Sequence, residues 1–327
     1  MSTIIDLHSD LLSFLAHDEK RTVENPLARN SLPQMQAGGV KVQTLAIYAR
    51  TNPRCVESAT KQIAHWKRLV RSEHFAPLSK NFQLSPSCVH LIPAFENASG
   101  FALETESLSE SLARLQDMLN TLGNLFYISM TWNEENRFGG GNDTSVGLKR
   151  NGEELLHWMH NKRIAIDLSH TSHRLASEII EYSDKHALDI PLMASHSNFR
   201  SVTDSPRNLM DAIAREIIRR KGIIGMNLFA PFIHKTDPFV LLRHIEYGLS
   251  LGGQESLCFG ADFFCDSDFP AIKMKYPDFI FFFDAYPNAS SYPFILSELK
   301  NKLGLSQEIL EQIAYKNAQR FLNAFIL

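Results

Sequence analysis

Short runs of β-branched and apolar residues recur along the chain, and the longer stretches between them repeat their apolar positions at helical spacing. Eight such runs stand out, at residues 3–8, 40–48, 89–95, 125–130, 163–168, 191–194, 222–227 and 257–260. The segments 55–71, 109–122, 152–160, 175–182, 209–220 and 238–249 predict amphipathic helices between them. Gly123, Gly222 and the pair Gly252-Gly253 fall where a helix end needs a left-handed residue before the next strand. The last stretch, 291–327, predicts two closing helices, one around Ser297 and one over 309–324.

Strands alternating with helices are the pattern of a parallel sheet built from βα units. An open, doubly wound sheet shares that pattern, but eight strands within about 260 residues match the size of a (β/α)8 TIM barrel. The expected architecture is an α/β fold, a single (β/α)8 barrel domain over residues 1–327 with C-terminal closing helices. A chain of 327 residues with 44% hydrophobic content can bury one large core. No Ser-, Gly- or Pro-rich linker divides it.

Charge and cysteine usage narrow the partners. The net charge of −3 comes from 33 basic and 36 acidic residues without a long block of either sign, which argues against a nucleic-acid groove or an anionic membrane surface. The N-terminal segment MSTIIDLHSD has neither a basic region nor a long apolar stretch, so no signal peptide is read and a cytoplasmic location is expected. Cys55, Cys88, Cys258 and Cys265 form no CxxC pair and sit in or near apolar segments, as reduced thiols do. The run Phe279 to Phe283 is far too short to span a bilayer and is expected to be a buried or dimer-facing loop.

In a TIM barrel the chemistry collects at the C-terminal ends of the strands. There the sequence places Asp6-Leu7-His8-Ser9-Asp10, Glu96, Asp167-Leu168-Ser169-His170, Ser195-His196-Ser197 and Asp262. His8 and Asp10, two apart, can point together into the barrel mouth, and an imidazole beside a carboxylate is a natural zinc chelate. His170 and His196 add two imidazoles, and Glu96 has two oxygens with which to bridge a pair of metal ions. Asp6 is expected one layer deeper, in a structural role. His157 and His160 sit on an outer helix beside Trp158, without a third ligand. Arg207, on the loop after the sixth run, suits planar recognition of a carboxylate. The run Gly139-Gly140-Gly141 lacks the Gly-Lys-Ser/Thr of a phosphate loop and is expected to be a flexible loop.

With these residues in view, the sequence resembles the membrane (renal) dipeptidase family of metallopeptidases, among the amidohydrolase-like barrels. The likeness rests on Asp6-Leu7-His8-Ser9-Asp10, Glu96, Asp167-Leu168-Ser169-His170, Ser195-His196-Ser197-Asn198 followed by Arg207-Asn208, Gly260-Ala261-Asp262-Phe263, and the tail from Tyr292-Pro293 to Asn317-Ala318-Gln319-Arg320. It implies two zinc ions, one on His8 and Asp10, the other on His170 and His196, bridged by Glu96. It further implies that Asp262 orients the bridging hydroxide and takes its proton, while Arg207 holds the carboxylate of a small peptide, and it makes a homodimer an expectation.

The sequence departs from the family pattern at three places. Trp132 stands where the family commonly has a histidine after strand 4, Asn97-Ala98 replaces a Gly-Gly, and Asp262-Phe263-Phe264-Cys265 replaces an Asp-Phe-Asp-Gly type of sequence. These changes leave the ligand types intact and alter the pocket around them. A zinc-dependent dipeptidase is the leading expectation. A binuclear hydrolase of another amide, lactone or ester is the alternative, and a metal-binding scaffold with the Phe281–Phe283 stretch as its partner surface is a third.

Overall fold

The computed structural model describes residues 3–80, 82, 84 and 88–327. Nine parallel strands run in chain order: β1 (Ile4–Asp6), β2 (Val40–Tyr48), β3 (Phe75–Pro77), β4 (Val89–Glu96), β5 (Tyr127–Ser129), β6 (Ala165–Asp167), β7 (Leu192–Ala194), β8 (Ile223–Met226) and β9 (Leu257–Phe259). Pairing follows the order β2-β1-β9-β8-β7-β6-β5-β4, and β2 pairs back onto β4, which closes a ring of eight. The short β3, absent from the sequence expectation, hangs outside the ring on the N-terminal half of β4.

The eight ring strands are the eight apolar runs, so the (β/α)8 barrel is as expected. Most are shorter than the runs that announced them. Along β5, for example, Tyr127 belongs to the interior of the barrel while Ile128 packs against the helical layer. A strand buried on both faces is apolar throughout, and the pattern cannot show where the backbone leaves the sheet. The closing helices are Tyr292–Leu303 and an unbroken helical run from Gln307 to Ile326 that contains two π-helical stretches.

Two further expectations meet the structure differently. Phe281, Phe282 and Phe283 are buried within the protein's own core, which removes them as a partner surface and removes their support for a homodimer. Their rings pack with Phe229, Phe263, Phe264 and Tyr286 instead of facing solvent. The four cysteines are free thiols. Among the described residues no helix is long and apolar enough to cross a membrane.

Close approach inside the barrel depends on two glycines. A Cβ added at Gly225 or at Gly260 would overlap the Ser195 carbonyl oxygen from either side. Gly225→Ala is therefore expected to destabilise the protein by about 1–3 kcal/mol, the usual cost of forcing extra volume into a packed interior. Urea unfolding would measure this, and an unchanged midpoint would show that the strand moves aside freely.

Candidate metal centre at the barrel mouth

Each ligand-type residue stands where a ring strand ends. Glu96 is the last residue of β4, His8 and Asp10 follow β1, His170 follows β6, His196 follows β7 and Asp262 follows β9. The regular pairing of β1 ends at Asp6 and resumes only as an isolated bridge from Ser9 to Phe263, so simple alternation does not place His8. Asp6, expected on the same face one layer down, is instead taken up on the helical side: the Tyr292 hydroxyl donates to it, as do the backbone N–H groups of His8 (3.1 Å) and Ala261 (3.0 Å). Asp10 precedes the helix Leu11–His17 but makes no capping bond to it, which leaves its carboxylate for the cluster.

The structure brings these side chains together. Glu96 Oε1 lies 2.9 Å from His170 Nε2 and 3.8 Å from His196 Nε2, while its Oε2 lies 3.4 Å from His8 Nε2. Asp262 Oδ1 is 3.6 Å from His8 Nε2. Three overlapping groups result, His8–Asp10–Glu96, Glu96–His170–His196 and His8–His196–Asp262, with the ligand atoms of each within 4.8 Å of one another. His157 and His160 take no part. His157 pairs with Tyr182 on the outer helices, and His160 accepts from the Asp189 backbone.

The partners on the far side of each imidazole decide what the cluster can bind. His170 Nδ1 is 2.8 Å from the amide oxygen of Asn133, an atom that can only accept. His196 Nδ1 is 2.6 Å from the Ser195 hydroxyl, which itself donates to Asp167 at 2.8 Å. His8 Nδ1 is 2.7 Å from the Tyr127 hydroxyl, whose proton goes to the Leu7 carbonyl. All three rings thus carry their proton on Nδ1 and turn an Nε2 lone pair into the cluster. His170 Nε2 and His196 Nε2 face each other at 2.9 Å as two acceptors. His8 Nε2, Asp10 Oδ1 and Glu96 Oε2 are buried without a hydrogen-bond partner. A cation satisfies all of these atoms, so the donor set fits a metal site.

Electrostatics agree. Burial pushes the pKa values of His170 and His196 well below the ordinary histidine range, helped by Arg207 at the first and by His8 and then Arg207 at the second, so both imidazoles are neutral. Burial likewise raises Glu96 to about 8, and raises Asp10 well above the usual carboxylate range with Glu96 adding to it. Asp262 rises to about 6 through burial, with His8 opposing. Several buried acids without their full countercharge are what a bound cation would relieve.

Asp262 and His170 are held in the left-handed region, at φ 63° and 64°. For residues other than glycine this costs of order 1–3 kcal/mol each and gathers at functional sites. Asn227, at the end of the run 222–227, was not singled out from the sequence. It donates to Asp262 Oδ2 at 2.9 Å and to the His196 carbonyl at 3.2 Å. The strand-end rule that found the other residues applies to it equally. Tyr127 and Asn133 carried no such signal, because one reads as an apolar strand position and the other as loop.

Arg207 is buried beside the cluster. It donates to Ser197 Oγ (2.8 Å) and the His196 carbonyl (3.0 Å), and its guanidinium lies 5.5 Å from the centre of the Phe232 ring. Gly139-Gly140-Gly141 is not a loose loop, because all three residues are buried and a Cβ on Gly141 would overlap the Trp132 carbonyl. They let the backbone pack tightly behind Trp132 and Asn133. The indole of Trp132 stands with its centre 6.0 Å from that of His170.

A closed parallel barrel with carboxylates and neutral imidazoles converging at its C-terminal mouth defines a metal-dependent hydrolase. The model of the membrane dipeptidase family, peptidase family M19, matches residues 1–325, and the chain belongs to that family of metallo-dipeptidases. It is 26% identical over 316 residues to the uncharacterized dipeptidase C965.12 of Schizosaccharomyces pombe, covering 85% of this chain and 73% of that protein. It is 27% identical over 206 residues to an uncharacterized protein in the pqqA 5' region of Klebsiella pneumoniae, 58% of this chain and 69% of that one. A metallo peptidase from Rhodobacter sphaeroides, solved with a phosphinate mimic of the dipeptide L-Ala-D-Ala, superposes with a TM-score of 0.80 at 19% identity over 99% of both chains. That likeness is one of fold.

Proposed function

We propose that the protein hydrolyses dipeptides with two zinc ions, one held by His8 and Asp10, the other by His170 and His196, with Glu96 between them. The observation that carries this reading is the set of acceptor atoms turned inward together: the orphaned His8 Nε2, Asp10 Oδ1 and Glu96 Oε2 beside the facing Nε2 atoms of His170 and His196. Bound there, zinc supplies Lewis acidity, which acidifies a water and polarises the peptide carbonyl. Four free thiols fit a reducing compartment such as the cytoplasm.

The chain's own groups do the rest. Asp262, its Oδ2 held by Asn227 and its Oδ1 left toward His8, takes the proton of the attacking water and passes it to the leaving amine. Arg207 holds the free carboxylate of the dipeptide. Two of its five N–H groups are engaged by Ser197 and His196, so three donors remain in the guanidinium plane, the unpartnered Nε–H among them.

Arg207→Met is expected to raise KM for dipeptides by about thirtyfold to several-thousandfold, matching the roughly 2–5 kcal/mol carried by a buried charge pair. Dipeptide amides, which lack the carboxylate, should be cleaved equally by both proteins. A variant with unchanged KM would remove Arg207 from the substrate site. A carboxylate-free amide, lactone or ester turned over faster than every dipeptide in a panel would favour the broader hydrolase reading.

A further inference from the structure

We infer that Tyr48 supplies the hydrogen bond that stabilises the oxyanion as the peptide carbonyl becomes tetrahedral, an assignment that rests on the dipeptidase reading above. Tyr48 is the last residue of β2, and its register partner on the adjoining strand is Glu96. Register partners on neighbouring strands project to the same face of a sheet. Glu96 points into the mouth, and the Tyr48 ring therefore rises beside it. Strand alternation agrees: Val42 and Ala94, each an even number of residues below, both belong to the barrel's interior.

Tyr48 is held in place by contacts made around its hydroxyl rather than through it. The side-chain amide of Gln62, buried on the helix Cys55–Leu69, clasps its main chain: Gln62 Oε1 accepts from the Tyr48 N–H at 2.9 Å, and Gln62 Nε2 donates to the Tyr48 carbonyl at 2.5 Å. Its ring meets that of Trp132 edge to face at 5.2 Å, and the Trp132 ring stands 6.0 Å from His170. The hydroxyl itself makes no hydrogen bond to a described residue. A half-buried phenol fixed at its backbone and at its ring, with the O–H left over at the edge of a metal cluster, is a donor waiting for an acceptor.

In the metal-free protein burial, then the carboxylates of Glu96 and Asp10, raise its pKa far above the ordinary tyrosine range, which leaves the hydroxyl a donor. Negative charge on the substrate oxygen is stabilised by donating this O–H, without transferring the proton, so no further reactant is needed. Trp132 carries the other donor at this edge, and its ring packs between Tyr48 and His170, which makes it a positioning residue for both.

The test uses the zinc-loaded protein, its Tyr48→Phe and Trp132→Phe variants, a dipeptide panel and a phosphinate dipeptide mimic as the tetrahedral probe. Y48F is expected to lose about a hundredfold in kcat, the usual effect of removing one oxyanion donor, with KM and zinc content little changed. Its dissociation constant for the phosphinate, measured by calorimetry, should rise by a similar factor. The assignment is overturned if Y48F keeps its kcat and its phosphinate affinity, if Y48F loses zinc, or if W132F rather than Y48F shows the paired loss. If the wild type binds the phosphinate but cleaves no dipeptide, the dipeptidase reading fails instead, and the ratio of phosphinate affinities still reports on Tyr48.

Discussion

Glu96→Gln is expected to leave the protein with less than one bound metal ion per chain and with dipeptide hydrolysis reduced roughly a thousandfold. Glu96 is the one residue common to the His8–Asp10 and His170–His196 groups. An amide keeps the shape but offers one neutral oxygen where the carboxylate offers two charged ones. Losing a buried ionic partner costs about 3–5 kcal/mol, and each 1.36 kcal/mol is about a tenfold change in rate. Metal analysis and kinetics on the same preparation would check this, and an E96Q protein that keeps both metals and its rate would end the bridging assignment.

The same substitution has an opposite effect once metal is stripped away. In the metal-free protein burial lifts the Glu96 pKa from 4.5 to about 8. Between those values the folded chain holds a proton that the unfolded chain has released, so stability declines as pH rises through this window. Chelator-treated wild type should lose stability from pH 5 to pH 8 more steeply than chelator-treated E96Q. The variant keeps a shallower slope, because Asp10 and Asp262 are also raised and act with the same sign. Parallel slopes in urea titrations would mean that Glu96 is not the buried acid responsible.

Asp262→Asn is expected to bind metal and dipeptide nearly as wild type does and to lose about 10²–10⁴ in kcat, the range associated with a positioned proton carrier. Asparagine tolerates the left-handed backbone that Asp262 adopts at φ 63°, so the fold should not suffer. Its side-chain oxygen can still accept from Asn227, as Asp262 Oδ2 does now at 2.9 Å. Only the proton-accepting ability is gone. The metal-free pKa of about 6 sets the ceiling for an acidic limb in the wild-type pH profile, since bound cations favour the carboxylate and pull it lower. D262N should lack that limb, and a variant within about fivefold of wild type would remove Asp262 from the proton transfers.

The barrel was legible because parallel strands covered on both faces print themselves as unbroken apolar runs. The run at 40–48 coincides with β2, whereas the run at 3–8 shrinks to Ile4–Asp6, beyond which pairing turns irregular around His8 and returns at an isolated Ser9–Phe263 bridge. Strand-end position flagged His8, Asp10, Glu96, His170, His196 and Asp262, which the fold does bring together. It did not reveal what orients them. Tyr127 reads as another strand hydrophobe, Asn133 as loop, and only three-dimensional neighbours show that each sets a histidine's proton. Gly139–Gly141 misled for a related reason: the same residue type serves both looseness and close packing, and here a Cβ on Gly141 has no room beside Trp132.

The contacts of Asp6 also set a timetable. β1 precedes every other strand, yet its buried carboxylate is answered by the Ala261 amide and the Tyr292 hydroxyl, 255 and 286 positions further along the chain. At roughly 5–20 residues added per second, that is about a quarter of a minute to a minute of synthesis. His8 waits as long for Asp262, its neighbour across the joint between β1 and β9. The ring grows in chain order but closes only when β9 reaches β1, and a nascent chain halted short of residue 261 holds His8 and Asp10 just beyond a carboxylate whose later partners are still missing.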